Sequence, residues 1–284
     1  MPDIDLHTHS TASDGTLTPT ELVAHAREVG LKALALTDHD TVAGVEEALA
    51  AGEKYGVEVI PGCEISAETP DYRMHILGLF LPPRPEKLIR VMDGLLEHRH
   101  NRNHIIVGRL NDLGYSITYD EIRAIAGEGS VGRPHIARCL MDKHIVSSIQ
   151  EAFDRFIGPK GKAYEPKKIL TDKDAVSILK EEGATVVLAH PYQLGMSPGE
   201  LEKLVLELME LGLDGIEVYY PEHTPTQTRR YEELAEKHGL VKSGGSDFHG
   251  TVKPRIALGR GKNGGLDIPY QVLADIKAYR NRAR

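Results

Sequence analysis

Tryptophan is absent, phenylalanine occurs four times, and aromatic residues make up 5% of the 284-residue chain. A long base-stacking track for single-stranded nucleic acid is therefore not expected. Cysteine is nearly absent too. Cys63 and Cys139 lie far apart, so no disulfide framework is expected and a reducing cytoplasm fits. No run approaches the ~18 apolar residues that span a bilayer, so a membrane is not an expected partner. The start, Asp3-Ile4-Asp5-Leu6-His7, has neither a basic region nor an apolar run, and a signal peptide is not expected. The formal net charge of −8 argues against a surface built for long duplex nucleic acid. What remains is a globular profile, 40% hydrophobic and 27% charged. The length is near the upper limit for one core, so one large domain with an inserted subdomain is expected.

Short apolar runs alternate with amphipathic segments. Residues 4–7, 31–36, 57–61, 74–81, 185–189, 215–219 and 240–244 read as strands. Between them, helices are expected at 18–30, 42–55, 175–182, 198–211 and 226–238, with a last one at 269–282. Thr18-Pro19-Thr20-Glu21 is a capping box with proline at the first helical position. The run 31–36 is apolar throughout, as in a buried parallel strand. Such alternation predicts an α/β fold with a mostly parallel sheet and helices outside. Residues 98–168 break the rhythm. They read as short helices and carry 12 Lys+Arg against 8 Asp+Glu, a balance of +4, which leaves −12 for the remainder. The expected organisation is a barrel domain, 1–97 and 166–284, with a helical insertion, 98–165, acting as a substrate cap.

The 14 histidines are informative through their placement. The first strand ends in His7-Thr8-His9, and residues two apart on a strand share a face. Asp14 follows in the loop. The second strand ends in Thr37-Asp38-His39-Asp40, the third leads into Glu64, and the next begins with His75. Residues 185–189 end in His190-Pro191, and 240–244 in Ser246-Asp247-Phe248-His249. A lone histidine after a strand is usually capped or solvated. Here histidine or an acid recurs at six strand ends, the place where parallel α/β folds build their sites. Imidazole and carboxylate without thiolate suit Mn, Fe or Zn, and a carboxylate such as Glu64 can bridge two ions. His25, His144, His223 and His238 lie away from these ends and read as structural or solvated.

This set of motifs resembles the PHP (polymerase and histidinol phosphatase) family across the whole chain, and most closely its YciV/TrpH-like branch, which has a helical insertion in the same place. The resemblance implies a distorted seven-stranded β/α (TIM-like) barrel. It also implies that His7, His9, Glu64 and Asp247 hold one ion, that Glu64, His75 and His190 hold a second, and that Asp14, His39 and His249 hold a third. Asp14 stands where some members have histidine. Manganese is the expected metal, with Zn, Fe or Mg as alternatives. The implied chemistry is in-line attack of a metal-bridging hydroxide on phosphorus, with Glu64, Asp247 and His190 at its centre. The implied substrates are nucleoside 3′,5′-bisphosphates or short oligonucleotides trimmed from the 5′ end. Histidinol phosphate, an amidohydrolase-type reaction and a non-catalytic module are the alternatives.

The insertion offers candidate substrate contacts. Residues 86–113 read as one long helix with apolar positions Leu88, Met92, Leu95, Ile106, Leu110 and Leu113. Continuing that stripe reaches Arg99 and Arg102, whose guanidinium forks suit a phosphate; a solvated pair of arginines is the plainer reading. Gly132-Arg133-Pro134-His135 opens a predicted helix, where backbone N–H groups favour anions. Residues 158–164 read as a basic, flexible loop in which Lys162 and Tyr164 are further candidates; it lacks the spacing of a P-loop.

Overall fold

The computed structural model describes residues 2–127 and 131–283. Seven strands form one sheet in chain order: β1 (Ile4–Thr8), β2 (Ala33–Leu36), β3 (Glu58–Glu68), β4 (Arg73–Leu79), β5 (Thr185–Leu188), β6 (Gly215–Tyr219) and β7 (Val241–Gly244). The helices are α1 (Pro19–Glu28), α2 (Val45–Tyr55), α3 (Glu86–Asp112), α4 (Tyr119–Ala126), α5 (Arg133–Asp142), α6 (Ile149–Ala152), α7 (Asp172–Glu181), α8 (Pro198–Leu211), α9 (Pro225–His238) and α10 (Tyr270–Ala283). A two-stranded hairpin, β8 (Ile256–Ala257) and β9 (Gly261–Lys262), lies between β7 and α10. Among the described residues no helix is long and apolar enough to cross a membrane.

The chain divides into two compact units, residues 1–90 with 170–284, and residues 91–169. In the first, the sheet curls into a half-barrel. Four strand pairs are parallel, but β4 runs antiparallel to both β3 and β5. The reversal follows from the connection. Only residues 69–72 join β3 to β4, too few for the helical crossover a parallel pair needs. The Thr69 amide closes this turn on the Tyr72 carbonyl at 2.9 Å. No ladder joins β1 to β7. An isolated bridge instead joins Thr8 of β1 to Phe248, past the end of β7.

Period-two alternation sorts the sheet's faces. Leu34 and Leu36 pack with Leu22, Val23 and Ala26 of α1 and with Ala48 and Ala51 of α2. Ala33, Ala35, Ile60, Leu77, Leu79 and Val187 gather on the other face with Leu273 and Ile276 of α10. On β3 that second face continues from Ile60 through Gly62 to Glu64, which pairs across with Leu77. The ligand-type residues thus form the next layer above an apolar one. The register of β1 against β2 shifts between Asp5 and Thr8. This bulge lets Leu6 join the apolar layer while His7, the next residue, reaches Glu64.

Candidate metal centre

Glu64 is fully buried, and its two oxygens meet five imidazoles. Oε2 lies 3.2 Å from His7 Nε2, 3.2 Å from His9 Nε2 and 3.1 Å from His39 Nδ1. Oε1 lies 2.9 Å from His75 Nδ1 and 3.0 Å from His190 Nε2. Asp247 Oδ1 is 3.2 Å from His9 Nε2 and 3.8 Å from His7 Nε2. Asp14, 55% exposed at its side chain, places Oδ1 3.2 Å from His249 Nε2. All nine residues singled out as ligands in the sequence therefore meet in one cluster.

Four subsets converge closely enough to hold an ion: His9, Asp14, His39 and His249; His7, Glu64 and His190; His7, His9 and Asp247; and His39, Glu64 and His75. Asp14, His39 and His249 share one subset with His9. Glu64 shares one subset with His7 and His190 and another with His39 and His75, while its Oε2 faces His7 and His9 and its Oε1 faces His75 and His190.

Burial decides whether these residues suit a cation. His7 Nε2, both ring nitrogens of His9, His39 Nδ1 and Glu64 Oε2 are buried without a hydrogen-bond partner. Orphaned polar atoms cost free energy, and here they point at one another, as ligand atoms around an ion do. The donor set fits a divalent cation of the Mn, Fe or Zn type. The charges point the same way. Burial opposes ionisation of Glu64, yet His7 and His39 hold its carboxyl well below the usual range. Burial also opposes charge on His9, but the neighbouring carboxylates of Asp247 and Glu64, each 3.2 Å away, lift it to about 8. For His39, burial wins over Glu64 and pushes the imidazole down to about 4.

Backbone geometry aims several of these groups. Asp40, His190 and Asp247 have φ of 51°, 25° and 55°, in a region that side chains other than glycine seldom occupy. His190 and Asp247 sit just past β5 and β7, where the chain turns sharply to return a side chain over the strand ends. Such conformations cost about 1–3 kcal/mol each and persist where the surroundings enforce them.

Five further residues shape the cluster, and the strand-end reading missed their roles. Glu217 Oε1 lies 3.0 Å from His7 Nδ1, and its Oε2 accepts from the His190 amide at 2.7 Å. Asp5 accepts from the Ser246 amide at 2.8 Å and the Ser246 hydroxyl at 2.5 Å, fixing the turn that carries Asp247. Asp38 accepts from the Ser10 amide and hydroxyl, each at 2.7 Å. Tyr220 and Lys253 both donate to Asp247 Oδ2, at 2.7 and 2.6 Å. The available signal for Glu217 and Asp5 was an acid inside an otherwise apolar strand. A carboxylate on the far nitrogen of a ligating imidazole fixes its tautomer and orientation. Replacing Glu217 by glutamine is expected to weaken divalent-metal affinity about 10–100-fold, measured by chelator competition. Unchanged affinity would remove Glu217 from this role.

The structure places the other candidates in the helical unit. Arg102 is 4% exposed, and its Nε has no hydrogen-bond partner. Burial and the neighbouring charges of Arg133 and Arg99 push its guanidinium pKa down. Arg133 donates to the Ile157 carbonyl at 3.2 Å, with its guanidinium 5.6 Å from the centre of the Tyr164 ring. His135 Nδ1 accepts from the Gly132 amide at 3.0 Å, so this ring caps its own helix. Lys162 is exposed. The 158–164 segment, expected to be flexible, is tied down. Its Gly158, Lys162 and Ala163 amides donate to the carbonyls of Phe153, Arg155 and Phe156. A Cβ at Gly161 would lie 2.3 Å from Phe156 backbone atoms, so glycine is required there. Leu113, assigned to the apolar stripe, is instead 41% exposed, one residue past the end of α3. Of the histidines set aside, His25, His223 and His238 engage Glu28, the Val218 carbonyl and Glu202.

A buried cluster of histidines and carboxylates at the strand ends of a curled α/β sheet defines the class, a metal-dependent hydrolase. The PHP domain signature matches residues 5–182, so the chain belongs to that family of phosphoesterases. It is 36% identical over 245 residues to the 5′-3′ exoribonuclease of Haemophilus influenzae, covering 86% of this chain and 89% of that one. It is 33% identical over 250 residues to the 3′,5′-nucleoside bisphosphate phosphatase of Chromobacterium violaceum, covering 88% of each. A solved structure from Bifidobacterium adolescentis, assigned as a metal-dependent phosphoesterase, superposes with a TM-score of 0.70 at 32% identity, covering 98% of this chain and 97% of that one.

Proposed function

We propose that this phosphoesterase acts on small nucleotidic substrates, nucleoside 3′,5′-bisphosphates and short 5′-phosphorylated oligonucleotides. The observation that carries the reading is Arg102, buried with an unpartnered Nε beside Arg99 and Arg133. A buried guanidinium with no carboxylate partner among the described residues suits a planar anion such as phosphate. The named activities of the Haemophilus and Chromobacterium relatives support the same substrate class. In this reading Arg99, Arg102 and Arg133 bind the substrate's second phosphate, with His135, Lys162 and Tyr164 as further candidate contacts.

His7, His9, Asp14, His39, Glu64, His75, His190, Asp247 and His249 are the proposed ligands of two or three divalent ions, manganese first. Bound ions would supply Lewis acidity, activating water and neutralising phosphoryl oxygens. The chain's own part is to orient and to exclude water. Glu64 holds five imidazoles to one centre, Glu217 fixes the ring of His7, and Asp5 sets the turn that presents Asp247. The reading also takes the curled sheet as a distorted barrel closed at the Thr8–Phe248 bridge, and the reducing cytoplasm as the compartment, in keeping with two buried free cysteines.

The test is phosphate release by the manganese-loaded protein from adenosine 3′,5′-bisphosphate, with histidinol phosphate and AMP as comparisons. Turnover of the bisphosphate is expected to exceed both. Arg99→Ala and Arg102→Ala, made one at a time, are expected to raise KM at least about tenfold while metal content stays unchanged. Turnover of histidinol phosphate without turnover of the bisphosphate would contradict the reading.

A further inference from the structure

Asp247 faces two ways. Its Oδ1 belongs to the histidine cluster, 3.2 Å from His9 Nε2. Its Oδ2 accepts from Tyr220 and Lys253, and both of these residues line a cavity of about 450 Å³. That volume lies within the ordinary range of small-ligand clefts, about 300–1,000 Å³. The cavity therefore begins one carboxylate away from the other proposed metal ligands. Gln193, Glu222, Ser246, Arg255 and Lys262 are its other polar lining residues.

The charge in this wall is unbalanced. Lys253 is 39% exposed at its side chain and has Asp247 as its ion-pair partner. Arg255 and Lys262 are exposed, and among the described residues neither has a carboxylate within ion-pair distance. The other acid in the wall, Glu222, accepts from the Tyr192 hydroxyl. Backbone geometry brings the cations together. Arg255 directly precedes β8, and the β8–β9 ladder pairs Ile256 with Lys262. Gly261, at φ 59°, packs its α-carbon against Pro221, where a Cβ would come within 2.9 Å of the proline ring.

We propose that Lys253, Arg255 and Lys262 form a second phosphate-binding subsite, contiguous with the metal centre, that takes the phosphodiester of a strand continuing beyond the scissile phosphate. A nucleoside bisphosphate has nothing anionic to place there, whereas a short single-stranded oligonucleotide does. The subsite thus favours oligonucleotides over mononucleotides, and it rests on the nucleotidic reading above.

The test compares the wild-type chain with the double variant Arg255→Ala, Lys262→Ala, both positions being exposed. Anisotropy of a 5′-phosphorylated trinucleotide labelled at its 3′ end gives affinity over a range of salt. The variant is expected to bind about tenfold more weakly, with the slope of log affinity against log salt shallower by about 1.4, two contacts on a single strand. With manganese present, the ratio of kcat/KM for the trinucleotide to that for adenosine 3′,5′-bisphosphate is expected to fall by a similar factor. Equal affinity and salt slope in the two proteins, or no binding by the wild type, overturns the subsite. If the binding difference is found and the wild type hydrolyses neither substrate, the subsite stands and the proposed reaction is what fails.

Discussion

Glu64→Gln is expected to lower kcat by more than about 10³-fold, even at saturating divalent metal. Glutamine keeps the shape of the side chain but is neutral, and its amide nitrogen cannot ligate a cation. No other residue of the cluster touches five imidazoles. Its charge also sustains the metal-free site, where Glu64 and Glu217 hold the His7 imidazole well above its usual pKa against the opposing effect of burial. Removing one partner from a buried ion pair costs about 3–5 kcal/mol, so the metal-free variant is expected to melt below the wild type as well. Steady-state rates over a metal titration and a thermal melt in chelator check both parts. A rate near the wild-type value would deny Glu64 its central place.

Asp247→Asn is expected to lower kcat about 10²–10³-fold and to reduce the bound metal. Asparagine suits the position as a probe because Asn tolerates the left-handed backbone that φ 55° requires here. Its carbonyl can still accept from Tyr220 or Lys253, so the turn is expected to hold. The lost element is the negative charge, which burial opposes. In the native site His9 and His7 keep the Asp247 carboxyl well below its usual range. Activity and metal content measured on the same preparation check this, with circular dichroism confirming a retained fold. A variant that loses activity but keeps its full metal content would show that Asp247 acts on substrate and not on metal.

The nine ligand-type residues were legible because their chemistry is unusual for where they stand. Histidine and acid recur at the ends of apolar strands, and a strand end of a parallel sheet faces the site whatever the register elsewhere. Which oxygen of Glu64 meets which ring is a matter of side-chain geometry, and residue spacing alone does not carry it; His39 on Oε2 is the contact that spacing did not suggest. Glu217 and Asp5 were hidden for a different reason. They sit within strands, where pattern reading assigns a face but cannot tell that the partner is the His7 imidazole for Glu217 and the turn at Ser246 for Asp5. The reversal of β4 left its only trace in the short connection 69–72. The 86–113 periodicity located α3 correctly and placed the two arginines on its buried stripe, of which Arg102 is buried. It carried on to Leu113, where apolar spacing outlasts the helix that would bury it.

The reading proposed above makes this cluster a multinuclear metal site. Elemental analysis of the wild-type chain, loaded with manganese and freed of excess by gel filtration, tests it most directly. At least two divalent ions are expected to be retained per chain. One ion or none, in protein shown to be folded, would contradict it.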